Sequence, residues 1–256
     1  MNYRPPKPNA NPAPSPLVLS MRLMPPNPCP YLKGRMEQKL VADIAHMPEN
    51  YTKLAQVGFR RIEHWVYRPA CPGCEECVSL RIASGIGSGK VAADEGRLIH
   101  SPSQRRIMRR NQHITRRLLP NVARHDHYAL FKAYQQHRHY DGQMHGMTGS
   151  DYAALITRSP IPTLVVEYRA GSDLFGVMLV DIQADGLSLV YSFFDPKYSR
   201  QSPGNFMILD AARLAHGKGL PYVYLGYYVP SSRKMRYKTQ FKPCWQLRGR
   251  GWEEIK

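Results

Sequence analysis

Three thiols lie on one short loop, Cys71-Pro-Gly-Cys74-Glu-Glu-Cys77. A C-x-x-C-x-x-C loop can turn three thiolates toward one centre, and Cys29, in Cys29-Pro-Tyr-Leu, supplies a fourth by counting. Four thiolates suit tetrahedral zinc or an iron–sulfur cluster. The competing reading is a set of reduced, structural thiols. Five cysteines is an odd number, and three in one segment point, in a reducing compartment, to a metal site rather than disulfides. Cys244 stands alone and reads as a packed side chain.

The second candidate group is cationic. If residues 101–119 form one helix at about 100° per residue, then Arg105, Arg106, Arg109, Arg110, Arg116 and Arg117 fall on an arc of roughly 140°. Ile107, Ile114 and Leu118 fill the adjoining face. No acidic residue interrupts the set, so it reads as a phosphate-binding face rather than an ordinary solvated one. The whole chain agrees: 36 Lys and Arg against 19 Asp and Glu give +17 over 256 residues. Such an excess favours a polyanion, because released counterions drive its binding.

A third group could handle protons and carboxylates. His137 and His139 close a helical pattern over residues 126–139, Asp181 ends an apolar strand, and Asp195 follows Tyr191 beyond another. Tyr191 and Tyr237 can donate to an oxyanion or stack on a base. Arg236 and Lys238, in Lys234-Met-Arg-Tyr-Lys238, can meet a carboxylate. Gly204 and Asn205 lie in Arg200-Gln-Ser-Pro-Gly-Asn205, where a strand hands over to a helix. Free N–H groups there favour an anion, and the loop resembles the phosphate cradle of GNAT acyltransferases.

These residues need a scaffold. Ten of the 22 prolines fall in residues 1–30, which predicts an extended arm. Residues 31–44 and 50–57 read as helices, 64–67 as a strand, and 84–96 as a Gly- and Ser-rich link. Apolar strands are predicted at 163–168, 174–181 and 187–194, with an Asp185-Gly186 hairpin signal before the last. A helix at 205–217 and a strand at 222–229 complete an α/β order of elements. In that last strand Gly226 suggests a splay or a closely approaching group. The division expected is an arm at 1–30, a cysteine-containing N-terminal region at 31–120, and a C-terminal domain at 121–256. No apolar run reaches the ~18 residues of a membrane helix, and the start Met1-Asn2-Tyr3-Arg4 is no signal region, so a cytoplasmic protein is expected.

Taken in order, several segments identify a family. They are Cys29-Pro-Tyr-Leu, Arg60-Arg61, Tyr67-Arg-Pro69 leading into the cysteine loop, and Ser103-Gln-Arg-Arg with Asn111. Gly186-Leu-Ser-Leu-Val-Tyr-Ser-Phe-Phe-Asp-Pro196, Tyr222-Val-Tyr-Leu-Gly-Tyr227 and Lys234-Met-Arg-Tyr-Lys238 follow. The chain resembles the bacterial aspartate/glutamate leucyltransferases, relatives of the arginyl-tRNA–protein transferases, over roughly residues 28 to 245. The resemblance implies a GNAT-like C-terminal domain, leucyl-tRNA as donor, and proteins with N-terminal Asp or Glu as acceptors, marked thereby for N-end-rule degradation. It makes the arginine face a tRNA contact and requires no cofactor for the chemistry. Arginyl transfer, acetyl-CoA-dependent acyl transfer and a non-catalytic RNA-binding protein are the alternatives.

The implied chemistry is undemanding. The donor is an activated ester, and an α-amine has a pKa of about 7.7–8.0, so freeing it near pH 7.5 costs only ~0.5–1 kcal/mol. Positioning can contribute about 7–11 kcal/mol. The site is expected to orient its substrates first and to assist proton transfer second.

Overall fold

The computed structural model describes residues 19–85, 98–142, 144–249 and 251–256. Most of the proline-rich arm and most of the Gly- and Ser-rich link lie outside the described residues. In chain order the strands are β1 (Arg22–Leu23), β2 (Asn27–Pro28), β3 (Met36–Glu37), β4 (Lys39–Asp43), β5 (Arg60–Ile62), β6 (Trp65–Pro69), β7 (Val78–Ala83) and β8 (Ile114–Pro120). They continue as β9 (Thr163–Ala170), β10 (Asp173–Ile182), β11 (Gly186–Phe194), β12 (Tyr222–Tyr228), β13 (Cys244–Arg248) and β14 (Gly251–Glu254). The α-helices are α1 (Tyr51–Gln56), α2 (Pro102–Arg110), α3 (His125–Arg138), α4 (Gly149–Thr157) and α5 (Pro203–Gly217).

The architecture is mixed α/β. An eight-stranded sheet runs β14-β13-β7-β12-β11-β10-β9-β8, with every neighbouring pair antiparallel except β11–β12. A four-stranded sheet, β1-β4-β6-β5, stands beside it. Strand β10 is buried along almost its whole length, which explains its continuous apolar run Val177-Met-Leu-Val180. Helices α3 and α5 cover it and β11, with Phe131, Phe193, Phe206 and Leu209 in the core between them.

Residues 31–44 are not helical. A turn with Gly34 at φ +76° leads into β3 and β4. Ala42 and Ile44 are buried while Asp43 between them is exposed, a period of two that suits a strand against Val66 of β6. The helix expected here rested on a short apolar run, which periodicity alone cannot assign to helix or strand.

Residues 101–119 are not one helix either. Ser101 and Gln104 form a capping box that starts α2, and Pro102 sits in its first turn. The helix stops at Arg110, where the Asn111 side chain donates back to the Ile107 carbonyl and across to that of Gln201. Ile114 and Thr115, both β-branched, then begin β8 beside β9. Arg116 and Arg117 therefore sit on a strand, not on the helical arc. Arg116 pairs with Asp210 at 3.0 Å and Arg117 with Glu167 at 3.5 Å.

Two ionic clusters hold the layers together. Arg61 and Asp181 form a fully buried bidentate pair, at 2.8 Å from Nε and 2.6 Å from Nη2, joining β5 of the small sheet to β10 of the large one. Thr163 donates to the same carboxylate at 2.9 Å, and Arg61 Nη1 donates to the Glu63 carbonyl. Asp181, expected as a proton carrier, is thus a buried anchor with its oxygens engaged.

The second cluster centres on Glu167, which lies 2.8 Å from His127 and 2.7 Å from Arg169. The Arg169 hydrogen bond, with help from His127 and against burial, lowers the Glu167 carboxyl to about 2. A depressed carboxylate stabilises the fold above its unfolded pKa and loses that contribution as pH falls. Thermal stability is therefore expected to drop as pH falls from about 4.5 toward about 2. Glu167→Gln should lower the melting temperature more at pH 7 than at pH 3, and an equal loss at both pH values would refute this.

Candidate active site

The sheet opens at one place. β11 and β12 pair in parallel only from Gly186–Ser188 to Tyr222–Tyr224, although β11 continues to Phe194 and β12 to Tyr228. The divergence coincides with a register shift in β12 between Tyr224 and Gly226, which lies at φ +72°. Two cations cap the carbonyls along the opening. Arg60 Nη2 donates to Leu189 at 2.7 Å and to Val190 at 3.3 Å, on β11. Lys238 Nζ, from the 3₁₀ segment Arg233–Gln240, donates to Leu225 at 2.9 Å and Tyr227 at 2.7 Å, on β12.

Gly226 is required by this packing. A Cβ there would lie 1.9 Å from Arg60 Nη1. The close approach expected at Gly226 is therefore made by Arg60, a residue whose type and spacing suggest no chemistry beyond its place in the resemblance. Its signal is its position: neighbours on a strand point to opposite faces. Arg61 goes inward to Asp181 while Arg60 reaches the opening.

The rest of the wall comes from α3 and β11. Gln135, buried, donates to the Tyr191 hydroxyl at 2.7 Å. Tyr134 packs edge-on against Phe194 at 4.9 Å and against His139 at 5.5 Å. Burial raises the Tyr191 and Tyr237 phenols above their ordinary value. Burial first, then Arg138 and Lys234, lowers His139 below the ordinary imidazole value. Tyr191, His139 and Tyr237 thus lie about Tyr134, while Lys238, next to Tyr237 in the chain, caps the opening. His137 is exposed on α3, and Arg236 is exposed on the 3₁₀ segment. Asp195 caps the 3₁₀ turn Pro196–Gln201 through the Lys197 N–H at 2.9 Å and pairs with the Lys197 ammonium at 3.4 Å, a local structural role.

That turn leads to Ser202 at φ +56° and then to Gly204 and Asn205 at the start of α5. Gly204 faces the Phe194 ring, with its Cβ position 3.8 Å from it. Helix α2 holds the loop, since Arg110 donates to the Arg200 carbonyl at 2.6 Å. Between α2 and α5 lies a cavity of about 310 Å³ bordered by Arg109, Gln112, Phe206, Asp210 and Arg213.

Of the six arginines expected to meet RNA, four are engaged: Arg105 with the His100 carbonyl, Arg110 with Arg200, Arg116 with Asp210 and Arg117 with Glu167. Arg106 and Arg109 are exposed on α2, and their side chains make no hydrogen bond to another described residue. Replacing both with alanine is expected to weaken tRNA binding. The slope of log K against log salt should fall by about 0.7–0.9 for each phosphate no longer neutralised. An unchanged slope in filter-binding titrations would remove α2 from the RNA path.

The four cysteines lie near one another, with Cys77 close to Tyr227 beside the strand opening. The Gly73 turn, at φ +65°, brings the Cys74 N–H to the Cys71 carbonyl at 3.2 Å, and the Cys71 thiol is bracketed by the Gln38 backbone. Burial pushes the Cys77 thiol up to about 12, and the neighbouring Cys29, Cys71 and Cys74 add to it. Among the described residues, the one trio of His, Cys, Asp or Glu ligand atoms all within 4.8 Å of each other is Asp126, His127 and Glu167. Arg124 and Arg169 occupy that trio's carboxylates, which makes it an ion-pair network rather than a cation site. No three of the cysteine sulfurs come within 4.8 Å of one another, whereas thiolates at about 2.3 Å from one zinc would lie closer together.

The family model described as arginine-tRNA–protein transferase, N terminus, matches residues 27–85, and the model for its C terminus matches residues 126–248. An aspartate/glutamate leucyltransferase of Ruegeria pomeroyi is 44% identical over 236 residues, 90% of this chain and 82% of that protein. Proteins of the same name from Caulobacter vibrioides and Hyphomonas neptunium are 42% and 40% identical, over 89% and 90% of this chain and 80% and 90% of theirs. The chain is an enzyme belonging to this family of aminoacyl-tRNA–protein transferases.

Proposed function

We propose that this enzyme moves leucine from leucyl-tRNA to the α-amine of proteins beginning with Asp or Glu, which marks them for N-end-rule degradation. The observation that carries the reading is the 40–44% identity to aspartate/glutamate leucyltransferases along most of the chain. The site supports it. Arg60 and Lys238 stand together at the strand opening, and among the described residues no carboxylate forms an ion pair with either. An acidic acceptor side chain supplies the missing counter-charge, because an unpaired charge in a sheltered corner is costly. Lys238 is the nearer of the two expected carboxylate partners, and the exposed Arg236 is a peripheral one.

The parallel pair that parts midway, followed by a turn and a helix start at Gly204, supports a GNAT-like C-terminal domain at 121–256 beside an N-terminal region at 31–120. The aminoacyl ester would lie in the opening, with Tyr191 and Tyr237 oriented to donate to its carbonyl oxygen. The tRNA would run over the Gly204–Asn205 loop toward Arg106 and Arg109. Among the described residues no helix is long and apolar enough to cross a membrane, and the cytoplasm is the compartment that holds charged tRNA.

Cys29, Cys71, Cys74 and Cys77 would hold a metal or cluster once the sulfurs draw in. Such a centre would brace the segment before β7 rather than enter the transfer.

The test is a competition. Leucyl-tRNA and arginyl-tRNA, differently labelled, are offered together with peptides beginning Asp, Glu or Ala. Label from leucine alone, in the Asp and Glu peptides alone, is expected. Arginine label in the product would give the donor role to arginyl-tRNA, and no label in any peptide would remove the transferase reading.

A further inference from the structure

We propose that Lys238 serves the acceptor twice: its amine takes a proton from the acceptor's α-ammonium, and the resulting ammonium then stands opposite the acceptor's acidic side chain. This rests on the reading of the site as a leucyl-transfer centre.

The geometry comes from the two carbonyls. A neutral primary amine has two N–H groups and one lone pair. Leu225 and Tyr227 accept from Nζ at 2.9 and 2.7 Å, which uses both N–H groups and leaves the lone pair unengaged. After protonation a third N–H occupies that direction. The same position, without moving, offers either a proton acceptor or a charged donor.

The surroundings bias the empty site toward the first. Burial and the Arg60 guanidinium lower the Lys238 ammonium to about 7. Arg60 is the charged group acting on Lys238; the phenols Tyr51 and Tyr67 and the thiol Cys77 surround Tyr227, whose carbonyl Lys238 meets, Tyr31 lies beside Arg60, and Lys234 and Arg236 share the segment of Lys238. The carboxylates nearest these groups are Glu37, beside Tyr31 and Cys77, and Asp181, beside Tyr51 and held by Arg61; neither forms an ion pair with Lys238 or Arg60 among the described residues. An arriving Asp or Glu side chain reverses the bias, because an opposite charge favours the protonated form. A neutral side chain does not. Recognition and activation are therefore coupled through one nitrogen.

The step balances. The acceptor arrives as an α-ammonium with three protons. One passes to Lys238 Nζ, and the freed lone pair attacks the ester carbonyl carbon. The C–N bond forms and the C–O bond to the ribose breaks. One proton stays on the new amide, one ends on the ribose oxygen, and the one on Lys238 leaves to solvent after the product departs.

Single-turnover transfer with Asp and Asn peptides tests this in Lys238→Arg and Lys238→Ala. Arginine keeps a charge for the carboxylate but cannot accept a proton. Its KM for the Asp peptide is expected to stay near wild type while kcat falls about 10²–10⁴-fold, the range for general acid–base groups. The alanine variant should lose both, with its KM for Asp rising to that for Asn, and added ethylamine should restore its rate in proportion to free base. A Lys238→Arg enzyme with wild-type kcat overturns the proposal. A measurement on the unaltered protein guards against misfolded variants. The ¹⁵N resonance of Lys238 Nζ should titrate near pH 7 alone and remain protonated at pH 8 with Asp peptide. An Nζ still fully protonated at pH 9 in the free enzyme overturns the proposal equally. If the wild type transfers no leucine to the Asp peptide, the leucyl-transfer reading fails instead.

Discussion

Asp181→Ala is expected to destabilise the protein by about 3–5 kcal/mol, the cost of removing one partner from a buried ion pair. The loss is large because the Arg61 guanidinium is left with no exposure and no counter-charge. With about 2–4 °C per kcal/mol for a chain of this size, the melting temperature should fall by roughly 6–20 °C. The pair also joins the two sheets, so the small sheet should open first, and amide exchange in β4–β6 should accelerate more than in β9–β11. Replacing both partners together, Arg61→Met with Asp181→Leu, should recover most of the loss, because apolar pairs substitute well for buried ionic ones. A melting temperature within about two degrees of wild type for Asp181→Ala alone would show that this pair does not anchor the sheets.

Gly226→Ala is expected to lower kcat by about 10²-fold or more, the scale at which displacements near 1 Å impair catalysis. The new methyl would occupy space 1.9 Å from Arg60 Nη1 and 2.4 Å from its Cζ. The left-handed backbone adds about 1–2 kcal/mol of strain. The guanidinium must leave the Leu189 and Val190 carbonyls, and the corner shared with Lys238 loses its shape. A double-mutant cycle isolates the steric part. With Arg60→Ala already present, Gly226→Ala should cost only the backbone strain, so the two losses should not add. Strict additivity would mean that Arg60 and Gly226 do not act through this contact.

The second half of the fold is legible from the sequence because its elements are long and strongly patterned. Strands β9, β10 and β11, helix α5 and strand β12 begin and end within a few residues of where periodicity and turn residues put them. Short segments are less legible. The pattern Lys39-Leu-Val-Ala-Asp43 satisfies a helix or a strand equally until a partner, β6, is known. The break of helix α2 at Asn111 depends on Gln201, ninety residues away, which no local pattern reports.

The site is legible where residue type is itself unusual and opaque where contact decides. Tyr191, Tyr237, Lys238 and His139 stand out by type and order; the structure groups the first two and His139 about Tyr134 and sets Lys238 on the carbonyls of β12. Asp181 looks the same in sequence as a catalytic acid would, and only its partner Arg61 reveals the anchor. Arg60 gives no chemical signal of its own. Its role follows from a glycine 166 positions later, at φ +72°, that leaves room for it.

The rate of leucine transfer to paired peptides that differ only in an N-terminal Asp or Asn, at saturating leucyl-tRNA, tests the central claim most directly. The two side chains match in shape and differ in charge. A corner formed by Arg60 and Lys238 predicts transfer to Asp faster by about 10²-fold or more, since the uncharged side chain gives Arg60 no counter-charge and does not favour the protonated form of Lys238. Equal rates for the two peptides would contradict the account.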